Sequence, residues 1–369
     1  METGGRISGV ENYVLNAISR LQTLPGFELR FFYNSFKVRE LPVKMDLHGR
    51  QISSSRIPNK IFNALLAFGL PRFEKLYGAF DVLWMPDLRP FAIGPETKLV
   101  LTVHDLSPVV HPEFYSLRRR IWHRLLNYRA SFKRADLIFA VSEYTKYDLV
   151  KIFKLDPEKI KVVYPGVDHK IFTPELDQRL QHKVRQKYNL PAKFILSIST
   201  IEPRKNLAGL IEAFEKIRDP EVRLVIAGRL GWLYREILEK IRNSQKKDKI
   251  KLIGYVAEAD KPFLISQAEM VCYPSFYEGF GFQPLEAMAC GVPVISSART
   301  SMPEVCGDAA LLIEPYHLED LRAAIESLLT DRHLRQSLIA KGLAQSQKFT
   351  WQKTAEQMAA AFKTLELKA

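Results

Sequence analysis

Cysteine is scarce: Cys272, Cys290 and Cys306 are the only three in 369 residues. They are too few and too irregular for a disulfide or zinc framework, and they fit a reduced, intracellular protein. No apolar run reaches the roughly 18 residues of a membrane-spanning helix, and the N-terminus has no basic-then-apolar leader pattern. The expected location is therefore cytoplasmic, at most peripheral on the inner face of the plasma membrane. No low-complexity tract interrupts the chain. Acidic residues are outnumbered, 41 against 54 Lys and Arg, for a net charge of +13. Such a balance implies anionic partners, and nucleic acid, anionic lipid and nucleotide sugars all qualify.

The length suits two domains of about 150 residues each. Short apolar strands alternate with helical segments throughout, which predicts α/β domains with doubly wound parallel sheets. In the first half the strands are expected at 27–33, 81–85, 97–103, 135–141 and 160–164, with 41–55 as loop. In the second half they are expected at 193–199, 222–227, 249–253, 269–273, 292–295 and 310–313. The boundary is placed near Phe172–Pro174, giving domains 1–173 and 174–350 and a last helix from 351. The segment 113–134 reads as one helix carrying seven Lys and Arg interleaved with aromatics. It is either a surface helix packing its apolar stripe inward or a helix lying on an anionic membrane, as is the cation-bearing apolar segment 57–77.

The most informative stretch is VCYPSFYEGFGFQPLEAMACGVPVIS, Val271 to Ser296. It reads as strand, glycine-bearing loop, helix, glycine stop and strand. Pro284 suits the first position of the helix, and Gly291 suits a left-handed cap. Glu278 and Glu286 are separated by seven residues. The amides of Gly279, Phe280, Gly281 and Phe282 with the helix N-terminus can face an anion, while the carboxylates can accept from vicinal hydroxyls. The plain alternative is that Glu286 only complements the helix dipole and Glu278 is a solvated loop acid. A second constellation, Glu202-Pro203-Arg204-Lys205-Asn206, follows a strand directly, and its two cations can clamp phosphate.

The stretch from Tyr273 to Ile295 resembles the signature of the large retaining glycosyltransferase family numbered four, in which two glutamates flank an E-G-F-G turn. The resemblance implies the GT-B fold: two Rossmann-like domains facing a cleft, with the last helix crossing back to the first. It implies a nucleotide-sugar donor, GDP- or UDP-linked, and a glycan or lipid-linked acceptor. Glu278 would lie by the donor sugar, Glu286 on the ribose, and Arg204 and Lys205 on the diphosphate. Gly254-Tyr255-Val256 would meet the base, His104 the sugar, and Gly4 and Gly5 the donor phosphates. Family members carry a strand before that glycine loop, and this sequence begins at the loop itself. STIEPRKNLAGLIEAF looks most like bacterial mannosyltransferases of surface-polysaccharide assembly.

The chemistry accords with this. Breaking the anomeric C–O bond gathers negative charge on the departing diphosphate. The sequence has no Asp-x-Asp and no His/Cys cluster at ligand spacing. Fixed cations and helix-end amides are thus expected to carry that charge without a resident metal or cofactor. A same-fold epimerase or phosphorylase, and an inactive scaffold, are the rival readings. A nucleic-acid binder is disfavoured, since the carboxylates of the loop would repel phosphodiester.

Overall fold

The computed structural model describes residues 8–34 and 52–365. The first lobe runs α1 (Gly9–Leu21), β1 (Phe31–Asn34), β2 (Ile52–Ser55), α2 (Asn59–Ala67), α3 (Phe73–Tyr77), β3 (Val82–Met85), β4 (Lys98–Val103), α4 (Ser107–Val110), α5 (Leu117–Leu125), α6 (Tyr128–Arg134), β5 (Leu137–Ala140), α7 (Glu143–Phe153) and β6 (Ile160–Val162). The second runs α8 (Gln178–Lys187), β7 (Phe194–Ile198), α9 (Leu207–Glu215), β8 (Arg223–Ala227), α10 (Tyr234–Asn243), β9 (Ile250–Gly254), α11 (Lys261–Ile265), β10 (Met270–Tyr273), α12 (Phe282–Ala289), β11 (Val294–Ser297), α13 (Met302–Cys306), β12 (Ala310–Ile313), α14 (Leu318–Thr330) and α15 (Arg332–Ser346). α16 (Trp351–Lys363) closes the described chain.

Among the described residues every strand pair is parallel. The second lobe's sheet has the order β12-β11-β10-β7-β8-β9. Counted from β7, this is the dinucleotide-binding order, with its reversal between β7 and β10. Strand residues alternate between two cores. Phe194, Leu196 and Val225 face one side, and Ile195, Leu224 and Ile226 face the other, because side chains of a strand point to opposite faces in turn. Helices must cover both sides.

The first lobe's main sheet is β3-β4-β5-β6, with β1 and β2 forming a separate pair. One face is filled by Leu99, Leu101, Ile138 and Phe132, the other by Val100, Leu137 and Phe139. That second face is covered by Ala17 and Leu21 of α1 and by Ala355, Met358 and Ala359 of α16. The last helix therefore packs on the first lobe. Gly166 marks the crossing, since a Cβ there would lie 2.1 Å from the Trp351 nitrogen.

Three expectations are corrected. Residues 52–55, taken as loop, form β2, because their partner is β1, more than twenty residues away, and not a local pattern. Strand β1 starts at Phe31 and not near residue 27. The single basic helix expected over 113–134 is two helices, α5 and α6, broken where Asn127 takes a left-handed conformation and accepts from the Ala130 N–H as an N-cap. The glycines Gly4 and Gly5 lie outside the described residues.

Candidate functional site

The reversal of strand order opens a crevice beyond the carboxyl ends of β7 and β10. The turn after β7 carries Arg204 and Lys205, on a 3-10 turn (Pro203–Lys205) ahead of α9. The turn after β10 carries Glu278. Topology thus brings together residues 74 positions apart in the chain.

Arg204 Nη1 donates to Glu278 Oε2 at 2.9 Å and to the Tyr277 carbonyl at 2.8 Å, while Nε and Nη2 donate to Glu202 Oε1. Lys205 Nζ donates to Glu278 Oε1 at 2.5 Å and to the Tyr273 hydroxyl at 2.8 Å. All four charged groups are buried. Burial pushes the Glu278 carboxyl up, but Arg204 and Lys205 outweigh it and hold the value at about 2. Burial pushes the Glu202 carboxyl up, against the pull of Arg204. The clamp expected to face phosphate is instead closed on Glu278. Of the five N–H of arginine and three of lysine, the four contacts of Arg204 and two of Lys205 leave one on each. Glu202 and Tyr273 were not selected from the sequence. Glu202 sits in the Glu-Pro-Arg-Lys run, and its reversed charge beside the cations was the available signal.

The loop itself is fixed from both lobes. Ser301 Oγ donates to the Glu278 and Phe280 carbonyls, and Thr145 Oγ1 of α7 donates to the Gly279 carbonyl at 3.3 Å. Tyr277 donates to Asp148 of α7 at 2.6 Å. A Cβ on Gly279 would lie 1.7 Å from the His104 carbonyl, so only glycine lets the lobes meet here. Gly281 has φ +97° and caps α12. Pro284 is the third residue of that helix and not the first, a position whose N–H would be unpaired anyway. Glu286 is consequently the fifth residue, in the second turn. The Phe280 ring is a core group, packed on Phe349 and Tyr164, and the Phe282 ring stacks on Trp351. Only the backbone of these two is available to a ligand in the expected way.

Glu286 is 2% exposed and its Oε2 has no hydrogen-bond partner among the described residues. Burial raises its pKa, with Lys261 opposing and Glu258 adding to the rise. Lys261, 2.8 Å from Glu258, was also missed in the sequence; burial opposes its charge, but Glu286 and Glu258 keep it protonated. The Gly254 carbonyl accepts from the Gly228 N–H at 2.7 Å, Val256 is buried and Tyr255 half-buried. His104 follows β4, with Nε2 2.8 Å from the Pro86 carbonyl. A carbonyl only accepts, so Nε2 carries the proton and Nδ1 a lone pair. Burial holds its pKa below the ordinary 6.5, against Asp87, the Pro86 carbonyl and Asp105. Its ring lies edge-on to Tyr13 at 4.9 Å.

Residues 179–345 match the glycosyl transferases group 1 family, and residues 7–171 match Glycosyltransferase Family 4. O-antigen chain mannosyltransferase B of Escherichia coli is 31% identical over 382 residues, covering 97% of this chain and 97% of that protein. The chain belongs to glycosyltransferase family 4. It is a hexosyltransferase with the GT-B fold. Among solved structures, the sucrose-phosphate synthase of Thermosynechococcus elongatus superposes with a TM-score of 0.78 at 22% identity, covering 96% of this chain and 93% of its own. Anabaena HepE in complex with UDP and glucose superposes with a TM-score of 0.74 at 20% identity, covering 99% and 98%. At these identities the two structures speak to the fold alone.

Proposed function

We propose that this glycosyltransferase moves mannose from GDP-mannose, with retention, to a glycan or lipid-linked acceptor of surface polysaccharide. The relative named above is an O-antigen mannosyltransferase, which supports mannose over glucose. The observation that carries the reading is the buried Arg204–Lys205–Glu278 cluster at the reversal of strand order. In this reading residues 174–350 hold the donor, residues 1–173 receive the acceptor, and 351–369 tie the two.

Donor binding exchanges the Glu278 carboxylate for diphosphate oxygens at Arg204 and Lys205, together with the amides of Gly279 to Phe282. Glu278 is released toward the sugar hydroxyls. Glu286 Oε2 accepts from the ribose, the 254–256 turn meets the base, and His104 Nδ1 accepts from a sugar hydroxyl. As the anomeric C–O bond breaks, its electron pair leaves with the diphosphate, where the cations stabilise it. The acceptor oxygen bonds to the same face of the carbon, and its proton passes to the departing phosphate. The chain's own cations perform this step, with no resident cofactor.

The test is a thermal-shift screen with GDP-mannose and UDP-glucose, followed by transfer assays. Arg204→Ala or Lys205→Ala lowers the transfer rate by roughly 10²–10³-fold, about 2.7–4 kcal/mol, as for loss of one preorganised donor. Either variant working at the wild-type rate refutes the assignment. A product formed without acceptor would mark an epimerase.

The membrane also enters the reading. Helix α5 has no buried residue, and Leu117 and Leu125 are 71% and 72% exposed beside Arg118, Arg120 and Arg124. On α2, Ile61, Leu65 and the adjoining Phe68, 84% exposed, form a second bare stripe near Lys60. Apolar residues flanked by cations suit an anionic bilayer, on whose cytoplasmic face a lipid-linked acceptor would be met. Among the described residues no helix is long and apolar enough to cross it. Failure to sediment with anionic liposomes at low salt removes this part.

A further inference from the structure

Arg204 has a third carboxylate nearby. Asp105 ends the segment after β4, and its Oδ2 lies 3.8 Å from Arg204 Nη1, across the cleft between the lobes. Asp105, Glu202 and Glu278 together outnumber the two cations Arg204 and Lys205. A surplus carboxylate opposes a diphosphate, so its presence at this face is a cost that binding of something else must offset. Asp105 also differs from the other two in access, its side chain being 25% exposed against 2% and 7%.

Its orientation is fixed by a one-way hydrogen-bond chain. Oδ1 accepts from the Ser107 N–H at 3.0 Å and from Ser107 Oγ at 2.6 Å. The single hydroxyl proton of Ser107 is thereby committed, so the Tyr115 hydroxyl, 2.5 Å away, must donate to Ser107. Burial keeps the Tyr115 phenol protonated for that task. Its ring stacks on Trp232 of the other lobe at 5.2 Å. Among the described residues Oδ2 accepts no hydrogen bond. Asp87, half-buried on the same lobe and paired with Arg89 at 3.2 Å, acts electrostatically with Asp105 on His104, His123 and Tyr128, with Arg119 opposing them at His123. The first lobe brings Asp105 to this face with Asp87 already paired to Arg89, while the diphosphate cations stand on the second.

We infer that Asp105 is an acceptor-binding residue, whose free Oδ2 accepts a hydrogen bond from a hydroxyl of a neutral sugar next to the one that reacts. The Asp105 carboxylate would repel a phosphate placed on that sugar and so sort phosphorylated acceptors from neutral ones. This rests on the glycosyl-transfer reading above.

The experiment measures transfer from GDP-mannose to a panel of neutral methyl glycosides and to mannose 6-phosphate, with wild type and Asp105→Asn. Asparagine can still accept from Ser107, so the brace survives. The expected result is a 10- to 100-fold rise in acceptor KM, while the donor KM and the GDP-induced thermal shift hold or improve, because a carboxylate that opposes the diphosphate is removed. The preference for neutral over phosphorylated acceptor should narrow, and Asp105→Glu should recover part of the loss. Unchanged acceptor kinetics in Asp105→Asn overturn the inference, as does an equal loss of GDP affinity. Wild type that transfers from no nucleotide sugar would overturn the glycosyl-transfer reading itself.

Discussion

Glu278 neutralises two buried cations, and its titration should be visible in stability. Its folded pKa of about 2 lies below the ordinary 4.5, so the unfolded chain takes up the proton first as pH falls. The contribution, ~3 kcal/mol by 1.36 kcal/mol per pKa unit, is complete above about pH 4.5 and is lost on the way down to 2. Glu278→Gln lacks this dependence. Urea midpoints of wild type and variant should therefore converge between pH 5 and 3, and parallel curves would sink the assignment. Arg204 holds the same cluster from the other side. Arg204→Ala strands Glu202 and Glu278 in the interior, at a cost of about 3–5 kcal/mol. Arg204→Lys keeps the charge but cannot span Glu202, the Tyr277 carbonyl and Glu278 together. It should restore much of the melting temperature and little of the transfer rate. Recovery of both would show that charge alone suffices.

The loop that carries Glu278 is set by contacts made by the opposite lobe. Gly279→Ala drives a methyl into the His104 carbonyl, a backbone atom that cannot swing aside. The variant should keep its secondary structure, lose at least tenfold in kcat and scatter X-rays as a more open particle. A wild-type radius of gyration with full activity would show that the close approach is dispensable. What could be read from the sequence follows the range of the forces. The strands of the second lobe and the turn between Glu278 and Glu286 are local patterns of apolar runs, glycine and proline, and they emerged within a few residues of their places. β2 depends on a partner far along the chain. The break at Asn127 depends on a left-handed residue inside an otherwise helical composition. The pairing of Arg204 with Glu278 was hidden for the same reason: both were expected at the site, but their mutual satisfaction is a tertiary fact. A sequence shows which charges the site holds, and the fold decides which of them are spent on each other.

At the scale of the whole molecule, the lobes are joined by more than the chain passing between them. Glu304 of α13 accepts from the Glu143 and Tyr144 N–H groups and from the Tyr164 hydroxyl, which places a carboxylate at the N-terminus of α7. Trp232 donates to the Phe114 carbonyl at 2.6 Å, and Phe114 stacks on Phe276. The largest tie is α16, whose Ala355, Met358, Ala359 and Ala361 cover Val100, Leu137, Phe139 and Val163. Fully burying a side chain of that kind is worth about 1.5–3 kcal/mol. Losing part of that burial at four positions approaches the 5–15 kcal/mol that typically holds a domain folded. The first lobe should therefore depend on a helix that is covalently part of the second. Ending the chain after Thr350 is expected to abolish the calorimetric transition of the first lobe and expose apolar surface to a hydrophobic dye. The buried clusters of the second lobe include no residue beyond Phe349, and Trp351 meets the Phe282 ring at their edge, so its transition should persist, with a weakened nucleotide-induced shift. A truncated chain that melts like the intact protein would mean that α16 only decorates a lobe already complete.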